Sequence, residues 1–227
     1  PQGFRFAAIL AAHRRFAGAD AHGPATDDIA LARRAGLRTM AAPGSMLLHK
    51  LTTPDDKIML EAFLGSHGRS SVGNGFDVHA FGPGGEVILC GLAIPHDQGL
   101  VGHSDADVAM HALTDAMLGA VGAGDIGQLF PPSDPQWKGA ASRIFLERAL
   151  QEIRSRGAEL ESVDVTIICE APKIGPHRDA MRARLAELLD LAPDRVNVKA
   201  TTTEGLGFTG RREGIAAMAT ATVWRCL

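Results

Sequence analysis

Three side chains able to share a metal ion stand in two short stretches of this 227-residue chain: Asp77 and His79 in Asp77-Val78-His79, and His111 thirty-two residues later. One carboxylate and two imidazoles can hold a divalent transition ion and leave a coordination position open. On an extended strand, residues two apart point to the same face, so Asp77 and His79 can grip one ion together. His111 falls one turn into a helix read from the spacing of Val108, Ala112, Leu113 and Met117. Ser104 or Asp105 serves as its cap. Asp107, four residues before His111, is expected on the same helix face, where its carboxylate would accept from the ring nitrogen that does not bind the ion. His103 and Ser104 precede the helix, where free N–H groups favour phosphate. Gly73 and Gly75 would let the backbone approach another chain or a ligand.

A second group lies near the C-terminus, where alternation in Val196–Ala200 runs into Thr201-Thr202-Thr203-Glu204-Gly205. This reads as a strand opening into a loop whose amides and hydroxyls can wrap a diphosphate, with Glu204 as a hard oxygen ligand for Mg²⁺ or Mn²⁺. An edge strand followed by an ordinary turn fits the same residues.

The elements that must position these groups read as a mixture. Strands are expected at 72–79, 163–169, 196–201 and 214–224, with a hairpin at 87–94 and helices at 105–119, 140–157 and 178–189. The pattern predicts an α+β fold, a mixed sheet with helices on one face. The open sheet face, assigned Val165, Ile167, Val198 and Ala216, needs cover. Apolar content of 45% suffices for a core, and a net charge of −3 with no Tyr argues against nucleic acid. Cys90, Cys169 and Cys226 have no paired spacing, which favours a reducing cytoplasm. No stretch has the length of a membrane span, and no signal peptide is visible.

Six blocks follow one another in order: Gly75–Phe81, His103–Asp107, His111–Asp115, Gly124-Asp125-Ile126-Gly127, Ala171-Pro172-Lys173 and Lys199–Glu204. In that order they resemble the 2-C-methyl-D-erythritol 2,4-cyclodiphosphate synthases, the cyclases of the non-mevalonate isoprenoid pathway, over residues 72–227. The resemblance implies a phosphorus–oxygen lyase that closes 4-diphosphocytidyl-2-C-methyl-D-erythritol 2-phosphate into the cyclic diphosphate and releases CMP. It implies zinc at Asp77, His79 and His111, and Mg²⁺ or Mn²⁺ at Glu204 with the substrate diphosphate. His103, Asp107, Thr202 and Glu204 are then expected at the reacting centre.

By the same resemblance, His103 and Ser104 hold the 2-phosphate, and Asp125, Gly127, Phe130, Ser133 and Asp134 hold the methylerythritol. Pro132 stands where many relatives carry an acid. Pro172, Lys173, Ile174 and Gly175 form the cytidine pocket with Ala200 and Thr201, while Thr202, Thr203, Phe208 and Arg211 complete the substrate contacts. A bacterial cytoplasmic homotrimer packed sheet to sheet is implied, with active sites at subunit interfaces. Phe76, Arg211 and Glu213 either line a central cavity for an isoprenoid diphosphate or form an intersubunit ion pair. A metal-dependent phosphodiesterase and a non-catalytic isoprenoid-diphosphate-binding trimer are the competing readings.

Within residues 1–64, Pro1-Gln2-Gly3-Phe4, Thr26-Asp27-Asp28, Pro43-Gly44-Ser45 and Lys50–Asp56 resemble the C-terminal end of 4-diphosphocytidyl-2-C-methyl-D-erythritol synthase, a cytidylyltransferase fused to the cyclase in some bacteria. An incidental helical extension fits the same residues. Thr26 and Lys50 match positions that touch methylerythritol phosphate in that family, but its glycine-rich nucleotide loop is absent. The chain thus reads as a bifunctional protein truncated within its transferase domain: a remnant over 1–64, a flexible connection over 65–71, and the cyclase over 72–227.

Overall fold

The structure, a computed structural model, describes residues 2–17, 27–45, 50–65, 68–131 and 133–226. Thr26, Pro132 and residues 66–67 of the expected connection lie outside them. The chain forms two compact units, Pro1–Phe63 and Leu64–Leu227.

In the first unit, α1 (Phe6–Phe16) and α2 (Asp28–Arg34) bury Ala12, Leu31 and Ala32. The Asp27 side chain caps α2 by accepting from Ala30 N–H at 2.7 Å. The start of α3 (Pro54–Gly65) is held by Asp56, which accepts from the Thr52 and Thr53 amides, each at 2.8 Å.

The second unit opens with the long strand β1 (Gly68–Gly82), the hairpin β2 (Glu86–Leu89) and β3 (Leu92–Pro95), and the short β4 (Gly99–Leu100). Helix α4 (Val108–Ala120), the single-turn α5 (Ile126–Leu129) and α6 (Arg143–Ser155) follow. Then come β5 (Ala158–Ile168), α7 (Arg178–Leu189), β6 (Val196–Thr201), the short α8 (Gly207–Gly210) and β7 (Gly214–Cys226). Five strands form one mixed sheet in the order β4-β1-β7-β5-β6, antiparallel except for β5 and β6. That parallel pair needs a crossover, which α7 supplies. Residues 68–71, expected in the flexible connection, are strand: they pair with Val223–Cys226 of β7.

Ile215, Ala217, Ala219 and Ala221 of β7 share one core with α4, α6 and α7. Helix α4 is apolar nearly all round and buries ten of its thirteen residues, as a helix sandwiched between sheet and helix must. Amphipathic α6 buries Phe145, Leu146, Ala149, Leu150 and Ile153 and exposes the ion pairs Arg143–Glu147 and Arg148–Glu152. Val165, Ile167 and Val198, assigned above to the open face, belong to this helix-covered core and are at most 1% exposed. Alternation shows which residues share a face but not which face the helices cover. The open side instead carries Val72, Phe76 and Met218, each more than half exposed, and Val78 at 37%.

Gly73 and Gly75 set the distance between sheet and helix. A Cβ on Gly73 would lie 2.0 Å from the Ala116 carbonyl oxygen, and one on Gly75 would lie 1.9 Å from that of Ala112. The close approach expected of these glycines is therefore to the chain's own α4, not to another chain or a ligand.

Candidate metal centre and adjoining cavities

Asp77 and His79 follow Gly75 on the helix-facing side of β1, and His111 precedes Ala112 on α4, so the contact set by Gly75 brings the three together. Asp77 Oδ2 lies 3.0 Å from His111 Nδ1 and 3.1 Å from His79 Nε2, and the two ring nitrogens are 3.0 Å apart. An ion bonded at about 2.0–2.1 Å separates tetrahedral ligands by about 3.3 Å, so this triangle is close to the bite such an ion needs. Among the described residues it is the one cluster of this kind.

The remaining ring nitrogens show that the donors suit a metal. His79 Nδ1 is 2.8 Å from the Val101 carbonyl oxygen, which can only accept, so Nδ1 carries the proton and Nε2 presents its lone pair. His111 Nε2 lies 3.0 Å from Ser104 Oγ and 2.9 Å from Ser142 Oγ, leaving Nδ1 for the ion. Burial works against charge on Asp77, but hydrogen bonds and positive charge from His111 and His79 outweigh it and hold the carboxyl well below its usual range. Burial likewise opposes a charged His79, yet the Asp77 carboxylate raises its pKa above 6.5. A divalent cation would replace the proton these groups compete for.

The Asp107 carboxylate does not meet the His111 ring. It is 0% exposed and is itself the cap of α4, accepting from Met110 N–H at 3.0 Å. It also accepts from the amides of Cys90 (3.0 Å) and Gly91 (2.6 Å) in the β2–β3 turn, where both residues have positive φ. The first-turn and hairpin amides need an acceptor more than the imidazole does, so Asp107 ties the hairpin to the helix from behind the site. Burial pushes its carboxyl up to about 6. Ser104 and Asp105, expected as caps, face the site region instead. Asp105 accepts from Ser142 N–H at 3.0 Å and from the Ser142 hydroxyl.

A cavity of about 180 Å³ opens beside the triangle, lined by His79, His103, Ser104, His111, Ile126, Gly127, Phe130, Trp137 and Phe145. Phe130, Trp137 and Phe145 pack with ring centroids 4.7–5.9 Å apart and give it an apolar wall. Asp125 caps α5 through Gln128 N–H at 2.8 Å, and Asp134 caps the 3-10 turn Pro135–Trp137 through Gln136 N–H at 3.1 Å. Ser133 is exposed. Asp115 accepts from Ile126 N–H at 2.7 Å and so anchors α5, a role its sequence context did not suggest.

A separate cavity of about 210 Å³ is lined by Cys169, Glu170, Pro172, Lys173, Ile174, Gly175, Ala200, Thr201 and Thr202, and no residue is common to the two linings. Glu204 is on the loop that follows, with φ 54°, and its carboxylate accepts from the Thr202 hydroxyl at 2.7 Å. Not all the loop amides are free for phosphate. Those of Thr203 (3.1 Å) and Gly205 (3.3 Å) donate to Glu170, which sequence reasoning missed because nothing local marks it. The Arg211 guanidinium pairs with exposed Glu213 at 2.8 and 3.1 Å, and Phe208 is partly exposed on α8. A larger surface hollow of about 560 Å³ by α6, β5 and α7 has Arg154, Glu159 and Asp190 as its charged lining, with Arg154 and Asp190 paired, and holds none of the site residues singled out above.

The YgbB family model matches residues 70–224. The chain belongs to the YgbB family. The bifunctional enzyme IspD/IspF of Paracoccus denitrificans (strain Pd 1222) is 58% identical over 98% of this chain, which spans 57% of that enzyme. The solved bifunctional IspDF from Campylobacter jejuni matches 91% of this chain and 56% of its own at 38% identity, TM-score 0.68. A 2C-methyl-D-erythritol-2,4-cyclodiphosphate synthase in a CDP-bound form matches 66% of this chain and 97% of its own at 43% identity, TM-score 0.61. The chain thus spans little more than half the length of the bifunctional relatives and nearly all of the synthase. The expected mixed α+β sheet agrees with these family structures. Among the described residues no helix is long and apolar enough to cross a membrane.

Proposed function

We propose that residues 72–227 form a metal-dependent 2-C-methyl-D-erythritol 2,4-cyclodiphosphate synthase, and that residues 1–64 belong to a cytidylyltransferase domain. The observation that carries this reading is the triangle of Asp77, His79 and His111 beside a small, largely apolar cavity. Its membership of the YgbB family and its likeness to a CDP-bound synthase support it.

The substrate is 4-diphosphocytidyl-2-C-methyl-D-erythritol 2-phosphate. An oxygen of its 2-phosphate attacks the β-phosphorus, the bond from that phosphorus to the bridging oxygen breaks, and CMP leaves with the electron pair. The nucleophile is already anionic, so the protein must mainly fold a polyanion into line and balance its charge. Asp77, His79 and His111 would hold zinc, and Glu204 a magnesium or manganese ion shared with the diphosphate. Such ions supply positive charge to the phosphates.

His103 and Ser104 hold the 2-phosphate. Gly127 and the Phe130 wall receive the methylerythritol carbon skeleton, and Asp125, Ser133 and Asp134 meet its hydroxyls. Lys173 with the Pro172–Gly175 segment, Ala200 and Thr201 holds the cytidine, and Thr202 and Thr203 bind the diphosphate. The exposed strip of Val72, Phe76, Val78 and Met218 packs against its copies in a homotrimer, which joins the metal cavity of one subunit to the nucleotide cavity of another.

The test is ³¹P NMR of the protein with this substrate, Zn²⁺ and Mg²⁺. A coupled pair of cyclic-diphosphate doublets with equimolar CMP, lost in Asp77→Ala, is expected. Linear phosphate products would establish a phosphodiesterase instead, and absence of turnover by the folded, metal-loaded protein would favour a binding role.

A further inference from the structure

Ser142 occupies the N-cap position of α6, where a serine hydroxyl normally accepts from the first-turn amides, yet its side chain makes no capping bond. It is 0% exposed, and its hydroxyl points to two other groups: His111 Nε2 at 2.9 Å and the Asp105 carboxylate. Asp105 holds this serine twice, through the hydroxyl and through the backbone N–H at 3.0 Å. Ser104 Oγ also lies 3.0 Å from His111 Nε2.

Proton counting separates the two serines. A neutral His111 that offers Nδ1 to an ion has a single N–H, at Nε2, for which two hydroxyl oxygens compete. A carboxylate can only accept, so the Ser142 proton goes to Asp105 and the Ser142 lone pairs are turned toward His111. Ser104 sits on the preceding loop, accepts from Ala106 N–H at 3.2 Å, and has the more distant Ser142 Oγ, at 3.4 Å, as the alternative acceptor for its own proton. It also lines the cavity beside His103.

We infer that Asp105 and Ser142 are a positioning pair that fixes the His111 ring, and that Ser104 is thereby left to donate its proton to an anion in the cavity. This rests on the metal reading of Asp77, His79 and His111 and adds a division of labour to it. A ligand imidazole held through its second nitrogen keeps its orientation and basicity, and losing such a partner weakens metal binding by roughly 10–100-fold.

The experiment is a zinc titration of the full chain against a chromophoric chelator, paired with the visible spectrum of the cobalt(II)-loaded protein. Ser142→Ala and Asp105→Asn are expected to weaken zinc binding by roughly 10–100-fold and to shift the cobalt bands. Ser104→Ala is expected to keep wild-type zinc affinity and the same spectrum, while binding inorganic phosphate more weakly in the zinc-loaded form. Unchanged zinc affinity in Ser142→Ala, or an equal loss in Ser104→Ala, overturns the assignment. Should Ser142→Ala not fold, Asp105→Asn, which keeps the Ser142 side chain, decides alone. A wild-type chain that takes up no zinc overturns the metal reading itself, an outcome distinct from either of these.

Discussion

Asp107 shows how one side chain can matter to a site it does not enter. Its two oxygens serve three backbone amides in a fully buried position, joining the Cys90–Gly91 turn to the first turn of α4. In Asp107→Asn the amide group must face one of these N–H donors, at a cost of about 1–3 kcal/mol. The pH dependence follows from burial, which moves the carboxyl from 3.8 to about 6. Between these values the folded chain binds more protons than the unfolded one, so this group's contribution to stability falls as pH rises through that window. The stability gap between the wild type and Asp107→Asn in denaturant titrations should therefore narrow as pH rises through that window and hold steady above it. A gap independent of pH would show that Asp107 does not titrate there. The sequence offered Ser104 or Asp105 as the cap and assigned Asp107 to the His111 ring, because all three precede the same apolar run. Only the path of the loop decides, and it gives Asp107 the helix and frees the other two. Ser142 was illegible for the converse reason: a serine before an apolar-periodic run looks like a cap, and here it is not acting as one.

At the scale of elements, the metal triangle depends on how closely β1 lies against α4. Gly75→Ala would put a methyl group 1.9 Å from the Ala112 carbonyl oxygen, so strand and helix must separate. A loss of about 2–3 kcal/mol or more is expected, together with weaker zinc binding, because His111 moves with Ala112. Gly119→Ala is the control. Its added methyl would find only the Gly73 Cα, at 4.0 Å, so it should be neutral or stabilise by up to about 1 kcal/mol. Equal effects in the two variants, read by thermal unfolding and chelator competition, would refute the spacing argument. The main strands and helices were legible because their apolar periods are regular, as in α7, which runs Arg178–Leu189 as expected. The two-residue β4 carries too few residues for any period. The covered face was misassigned because alternation along β5 and β6 fits either side of a sheet until the helices are placed.

For the whole molecule, the important feature is that the metal-side cavity and the Pro172–Thr202 cavity share no lining residue within one chain. If each complete site draws one cavity from each of two subunits, damage to the two halves can be borne by different chains. Asp77→Ala and Lys173→Glu proteins, each inactive alone, should then complement one another after being unfolded and refolded together. At equal mixing, on the order of one quarter of the interfaces would join an intact metal half to an intact nucleotide half. Measured turnover near that fraction of wild type would give the chain a genetic signature, two recessive lesions that cancel in mixed assemblies. A mixture as inactive as its parents would place the whole site within one subunit.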